Sequence, residues 1–195
     1  MRAPAGIILA GGRATRMGGG DKALLPLGEG TLLSSVIARL EPQVAALALN
    51  ANGPAERFDD FGLPVLPDTI PDFAGPLAGV LAGLRWAAKA GHSHVVSAAG
   101  DTPFLPCDLV PRLQMAAEGS TTGLAIAATP DGWQPTFGLW PTALADDLEE
   151  ALAGGLRKIL HWTDRHGAAR ATFPDADAFF NVNRPEDLTR AEGMA

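Results

Sequence analysis

Apolar residues follow two rhythms along this chain. Short runs such as Ile7-Ile8-Leu9-Ala10 and Val95-Val96-Ser97-Ala98 are bounded by glycine and proline, and they alternate with longer stretches whose apolar positions recur every three to four residues. The short runs predict strands over 6–10, 44–50, 63–66, 94–99, 123–128, 134–140 and 169–173. The longer stretches predict helices over 31–40, 76–90, 108–118, 142–153, 156–166 and 185–192. In the first helix Leu32, Leu33, Val36, Ile37 and Leu40 share a face behind a capping Thr31. The second opens on Pro76, favourable in a first turn, and stops before Gly91.

Strands alternating with helices are the pattern of βα units around a mainly parallel sheet, so the expected fold is α/β: a single Rossmann-like three-layer α/β/α domain covering 1–195. No linker or fixed-period repeat divides the chain. In open sheets of this kind ligands bind beyond the carboxyl ends of the strands, which directs attention to the loops after residues 10, 50, 66 and 99.

With 195 residues, 47% apolar and 19% charged, the composition is that of an ordinary globular protein. A formal charge of −7 argues against a general nucleic-acid binder, although positive charge concentrated locally still suits a small anionic substrate. The single cysteine, Cys107, precludes an internal disulfide and is expected to be a buried, inert thiol in a reducing compartment. The apolar run near the N-terminus ends at Gly11-Gly12, too short for an export signal, and no run has the length of a membrane helix. The expectation is a cytoplasmic protein with no nucleic-acid or membrane partner.

The segment Leu9-Ala10-Gly11-Gly12-Arg13-Ala14-Thr15-Arg16-Met17-Gly18-Gly19-Gly20-Asp21-Lys22 follows the first strand directly. Glycines let backbone N–H groups approach an anion, and Arg and Lys supply full charges for a polyphosphate. It is neither of two better-known phosphate loops. A P-loop needs Gly-Lys-Ser/Thr, whereas Lys22 stands between Asp21 and Ala23; a dinucleotide fingerprint needs Gly-x-Gly-x-x-Gly and an acidic residue roughly 20 positions on.

Further candidates lie at the other strand ends. Asp101, in Gly100-Asp101-Thr102-Pro103, is placed to ligate Mg²⁺, which prefers hard oxygen; the same residue type also caps turns before proline. An aspartate such as Asp68 accepts both edge donors of guanine, and Asn50 can donate to and accept from a base or ribose, though both residues are also common in turns. Asn181 and Asn183 stand two apart on an extended segment and so point the same way, unless Asn183 instead caps the helix beginning at Pro185. His92, His94, His161 and His166 lack partners at zinc spacing, and the four tryptophans read as core or interface residues.

Leu-Ala-Gly-Gly followed by Arg-Met-Gly-Gly and Asp-Lys resembles the signature loop of nucleotidyltransferases that activate sugars and cofactors, most of all the molybdenum cofactor guanylyltransferases. The runs Gly75-Pro76-Leu77-Ala78-Gly79 and Asn181-Val182-Asn183-Arg184-Pro185-Glu186 are similar to elements of the same family. The resemblance implies transfer of GMP from GTP to molybdenum-molybdopterin with Mg²⁺. It implies that Leu9, Ala10, Gly11 and Gly12 touch the nucleotide, that Arg16 grips the outer phosphates, and that Lys22 sits near the α-phosphate. Asn50 and Asp68 would bind the nucleotide, Asp101 would hold the metal, and Asn181 and Asn183 would meet the acceptor or complete the metal shell. Arg157 and Lys158 match only loosely and read better as surface charge. It further implies transient contact with other cofactor-biosynthesis proteins or recipient apoenzymes. Gly11, where cytidine-transferring relatives carry alanine, leans toward guanine. A CTP-using enzyme of the same fold and a non-catalytic nucleotide-binding module remain as alternatives.

Overall fold

The computed structural model describes residues 2–11, 21–70 and 75–194. Its strands are β1 (Ala5–Leu9), β2 (Pro26–Leu27), β3 (Gly30–Thr31), β4 (Ala46–Asn50), β5 (Val65–Leu66), β6 (His94–Ala99), β7 (Ala125–Thr129), β8 (Gly132–Pro141) and β9 (Ala169–Thr172). The α-helices are α1 (Leu32–Leu40), α2 (Pro76–Lys89), α3 (Leu109–Ala117), α4 (Ala145–Ala153), α5 (Ile159–Arg165) and α6 (Pro185–Glu192). Every strand and helix expected from the apolar pattern is present, with ends shifted by a few residues. Thr31 caps α1 as expected: its Oγ1 accepts from Ser34 N at 3.1 Å, and the Ser34 hydroxyl accepts from Thr31 N in return.

Seven strands form one sheet in the order β5-β4-β1-β6-β8-β7-β9. β1 pairs in parallel with both β4 and β6, β4 with β5, and β7 with β9; only β8 runs against its neighbours. The sheet is thus mainly parallel, and its two faces are covered by different helices. Side chains alternate across each strand, so Ile8 joins α1 and α3 in one cluster with Leu33, Val36 and Leu113, while Ile7 joins α2, α4 and α5 in the other with Leu81, Trp140 and Trp162. Burying a side chain of this size is worth about 1.5–3 kcal/mol, which is why the two apolar periods dictate the layers.

Two features were not legible in the periodicity. The antiparallel hairpin β2–β3 is built from two-residue strands around Gly28, whose φ of +58° suits glycine. The β7–β8 ladder slips between Ile126 and Ala127, opposite Pro135, which has no N–H to give to a ladder. The expectation of a buried Cys107 is corrected: the thiol is exposed, and Leu105, two residues earlier, takes the buried position before α3. A small third cluster of Leu27, Leu32, Val182 and Ala191 ties α6 and the segment before it to the hairpin and α1. Among the described residues no helix is long and apolar enough to cross a membrane.

Candidate active site

The strand registers align four chain ends on one edge of the sheet. Leu9 at the end of β1 lies opposite Asn50 at the end of β4 and Ala99 at the end of β6, and Asn50 lies opposite Leu66 at the end of β5. The loops leaving these ends border a cleft of about 540 Å³, lined in part by Leu9, Ala10, Gly11, Lys22, Asn50, Asp68, Asp101 and Asn181. Its size is in the range of small-molecule sites. It sits at a topological switch point, where the chain passes from β1 to β4 on one side and returns to β6 on the other.

Gly100 permits the close approach of the β1 and β6 loops. A Cβ there would stand 3.3 Å from both the Ala10 Cα and the Leu9 carbonyl oxygen, and Gly100 N donates to that same oxygen at 3.1 Å. The carboxylate of the next residue, Asp101, is thereby held beside the first loop, where Lys22 Nζ donates to its Oδ2 at 2.5 Å. Lys22 opens a short 3₁₀ turn, Lys22–Leu24, and its ammonium also donates to Asn181 Oδ1 at 3.1 Å and to Asn183 Oδ1.

The amide pair reaches Lys22 because of what stands between its members. Val182 is fully buried in the third apolar cluster, and its N–H donates to the Asp101 carbonyl at 3.0 Å. An extended segment that turns Val182 inward must turn both neighbours the other way. The reading of Asn183 as a helix cap is settled by the same contacts: Asp187 Oδ2 accepts from the backbone N–H of Asn183 and Arg184, leaving the Asn183 side chain to Lys22. Asp101 likewise is no turn cap, since its carboxylate faces the ammonium.

Across the cleft, Asn50 and Asp68 are joined directly. Asn50 Nδ2 donates to Asp68 Oδ1 at 2.9 Å and to the Leu66 carbonyl at 3.0 Å. Asn52, which the sequence did not single out, clasps the same aspartate from the other side: Nδ2 donates to Asp68 Oδ2 at 2.8 Å and its Oδ1 accepts from Asp68 N at 2.9 Å. Gly79, on the inner face of α2, makes room for this arrangement, for a Cβ there would lie 2.1 Å from Asn50 Oδ1. Arg57 was also missed. It pairs with Asp21, donates to the Asn52 carbonyl at 2.6 Å and lies over the Phe58 ring, bridging the end of the first loop to the Asn52 turn. Only the tertiary fold brings these partners together, so no local motif marks them. Thr136, in the irregular stretch of β8 beside Pro135, lines the cleft, and its carbonyl accepts from Ser97 Oγ at 2.7 Å.

Leu9, Ala10, Gly11, Lys22, Asn50, Asp68, Asp101 and Asn181 therefore share one cleft, and Asn183 joins them through Lys22. Gly12 and Arg16 lie outside the described residues. Arg157 and Lys158 stand exposed ahead of α5, away from the cleft lining. Among the described residues no three His, Cys, Asp or Glu side chains form a metal-ligating group. A single carboxylate flanked by two amide oxygens is instead the sparse hard-oxygen set that Mg²⁺ accepts when substrate phosphates and water supply the rest.

Residues 6–169 match the model of the MobA-like NTP transferase domain. A molybdenum cofactor guanylyltransferase of Cereibacter sphaeroides is 54% identical, with 97% of this chain and 95% of that protein covered. One of Mesorhizobium japonicum is 50% identical over 96% and 93%. Among solved structures, molybdopterin-guanine dinucleotide biosynthesis protein A from Archaeoglobus fulgidus superimposes with a TM-score of 0.74 at 25% identity, covering 97% of both chains. A 2-C-methyl-D-erythritol 4-phosphate cytidylyltransferase from Thermus thermophilus, at 22% identity and a TM-score of 0.69, shares the fold.

Proposed function

Because this chain belongs to the MobA-like NTP transferase family, we propose that it transfers GMP from GTP to molybdenum-molybdopterin, releasing pyrophosphate and forming the guanine dinucleotide cofactor. The observation that carries this reading is the convergence of Lys22, Asp101, Asn181 and Asn183 at one point of the cleft, with Asn50 and Asp68 across from them.

The terminal phosphate oxygen of the acceptor attacks the α-phosphorus of GTP in line; the new P–O bond forms as the α–β bridge breaks, and pyrophosphate leaves. No covalent enzyme intermediate is required. Catalysis of this type rests on positioning and on neutralising phosphate charge. Asp68, immobilised by Asn50 and Asn52, presents a carboxylate with lone pairs to spare for the N1–H and amino group of guanine. The backbone of Leu9 to Gly12 approaches the nucleotide, Arg16 meets its outer phosphates, and Lys22 supplies charge at the α-phosphate. Asn181 and Asn183 meet the acceptor or complete the metal shell. The donor set described above fits Mg²⁺, with Asp101 as its protein carboxylate; when bound, the ion supplies charge to stabilise the phosphates in transfer. We further read residues 1–195 as one nucleotidyltransferase domain working in the cytoplasm and handing its product to recipient apoenzymes.

The test is to incubate the protein with GTP, Mg²⁺ and a molybdopterin source and to identify the product by mass. A guanine dinucleotide is expected. Thermal-shift titration with GTP and CTP in parallel checks the base, since preferential stabilisation by CTP would overturn the guanine assignment.

A further inference from the structure

Three oxygens from three residues surround the Lys22 ammonium, and each of its three N–H donors has one acceptor: Asp101 Oδ2, Asn181 Oδ1 and Asn183 Oδ1. The Lys22 side chain is only 11% exposed and the Asp101 side chain 21%, so this ion pair is partly shielded from solvent, while Asn181 and Asn183 are exposed residues. The surrounding oxygens are one carboxylate and two amide carbonyls, a set that serves a hard divalent cation as well as an ammonium. The carboxylate is the very group assigned above to the metal, and the inference rests on that assignment. Lys22 and a divalent ion cannot both stand at the point that Asp101 Oδ2, Asn181 Oδ1 and Asn183 Oδ1 surround, because two cations cannot take the same three oxygens at contact distance.

We propose that Lys22 is a tethered stand-in for the divalent cation. Its ammonium fills the oxygen cage while the triphosphate is absent, which satisfies Asp101 and both asparagines. It yields the cage only when phosphates arrive to receive it. The anchoring of Lys22 suits such an exchange: the preceding residue, Asp21, is paired with Arg57, while the lysine stem has four rotatable carbons and can redirect its charge without moving the backbone. Two consequences follow. Divalent metal alone binds weakly, and metal and nucleotide each raise the affinity for the other, as reciprocal coupling demands.

Mn²⁺ alone, followed by its electron paramagnetic resonance signal, tests the exchange in nucleotide-free protein. Lys22→Met keeps the apolar stem and removes the competing charge. It is expected to bind Mn²⁺ about tenfold or more tightly than the unaltered protein, the worth of one charge-assisted hydrogen bond that no longer has to be displaced. Lys22→Gln is expected to change affinity in the same direction and serves if the methionine variant folds poorly, whereas Lys22→Arg keeps a competing cation and stays within about threefold. The gain should persist in roughly 0.5 M KCl, where the diffuse effect of one charge fewer is screened, and should vanish when Asp101→Ala is added. Equal or weaker Mn²⁺ binding by Lys22→Met overturns the exchange, while loss of Mn²⁺ from GTP-loaded Asp101→Ala would still uphold Asp101 as the metal ligand. Retention of Mn²⁺ at unchanged affinity by GTP-loaded Asp101→Ala overturns both.

Discussion

Gly79→Ala adds one methyl group on the inner face of α2, and the structure makes its effect calculable. The new Cβ would lie 2.1 Å from Asn50 Oδ1, 2.7 Å from Asn50 Cγ and 2.8 Å from Leu9 Cδ2. The Asn50 side chain is buried and has nowhere to retreat without giving up its bonds to Asp68 and the Leu66 carbonyl. Crowding of this kind costs about 1–3 kcal/mol. Loss of one neutral and one charged hydrogen bond costs about 1 and about 1.5–3 kcal/mol respectively. Against these stands a gain of about 1 kcal/mol for replacing glycine within a helix. The net is a destabilisation of about 2.5–6 kcal/mol, the lower part if Asp68 is rehydrated, and at about 2–4 °C per kcal/mol for a chain of this length the melting point falls by at least about 5 °C and at most about 24 °C. Because Asp68 also loses its orientation, GTP affinity should fall about tenfold or more. Gly83→Ala is the control: its Cβ would meet Ile7 at 3.0 Å, and neither residue lines the cleft, so it should leave GTP affinity within about twofold whatever it does to the melting point. Thermal melts and calorimetric titration with GTP read both effects. A Gly79→Ala protein with unaltered melting point and GTP affinity would refute the claim that this glycine exists to seat Asn50.

Asp101→Ala should keep the far-ultraviolet circular dichroism of the parent and lose about 10²–10³-fold or more in turnover; near-normal pyrophosphate release would refute its role. Arg57→Ala removes the bridge from Asp21 to the Asn52 carbonyl and should raise the KM for GTP several-fold with little change in kcat, whereas an equal fall in kcat and kcat/KM would place Arg57 in the transition state instead. Stability should also decline with acid in two stages. Burial disfavours the imidazolium of His94 and holds its pKa below the ordinary 6.5, so the unfolded chain takes up that proton first and stability is lost as pH falls below 6.5 through the folded value. Burial pushes Asp147 up, but hydrogen bonds from Trp162 and His166 and the charges of His166 and Arg165 outweigh it and leave its pKa below 3.8; its contribution is complete above 3.8 and disappears as pH falls through the lower folded value. Urea melts from pH 7.5 to 5 should show the first stage, and His94→Gln should flatten it; an unchanged slope in that variant would assign the loss elsewhere.

How much of this was readable from the chain depends on the range of the interaction. Strand and helix positions follow from apolar periods of two and 3.6 residues, which are local, and every long element emerged in place. Strand direction is not local: the alternation in β8 reads the same in either sense, and its reversal appears only in its pairing with β6 and β7. The two-residue strands of the β2–β3 hairpin are too short to show a period at all. For the site, the cations of the glycine-rich loop nominated Lys22, and residue type at a strand end nominated Asn50, Asp68 and Asp101, because the parallel sheet gathers those ends on one edge. It was not enough for Asn52 or Arg57, which act through side chains that the loops bring together. The deepest link is the one least visible in any window of sequence. Lys22 meets partners 79, 159 and 161 positions away, and what fixes the farther two is Val182, an unremarkable apolar residue. Its side chain is buried against Leu27, Leu32 and Ala191, and its N–H is bound to the carbonyl of Asp101 itself. A single backbone hydrogen bond thus sets the distance between the carboxylate and both amides, so the geometry of the cage is inherited from the packing of a small satellite core.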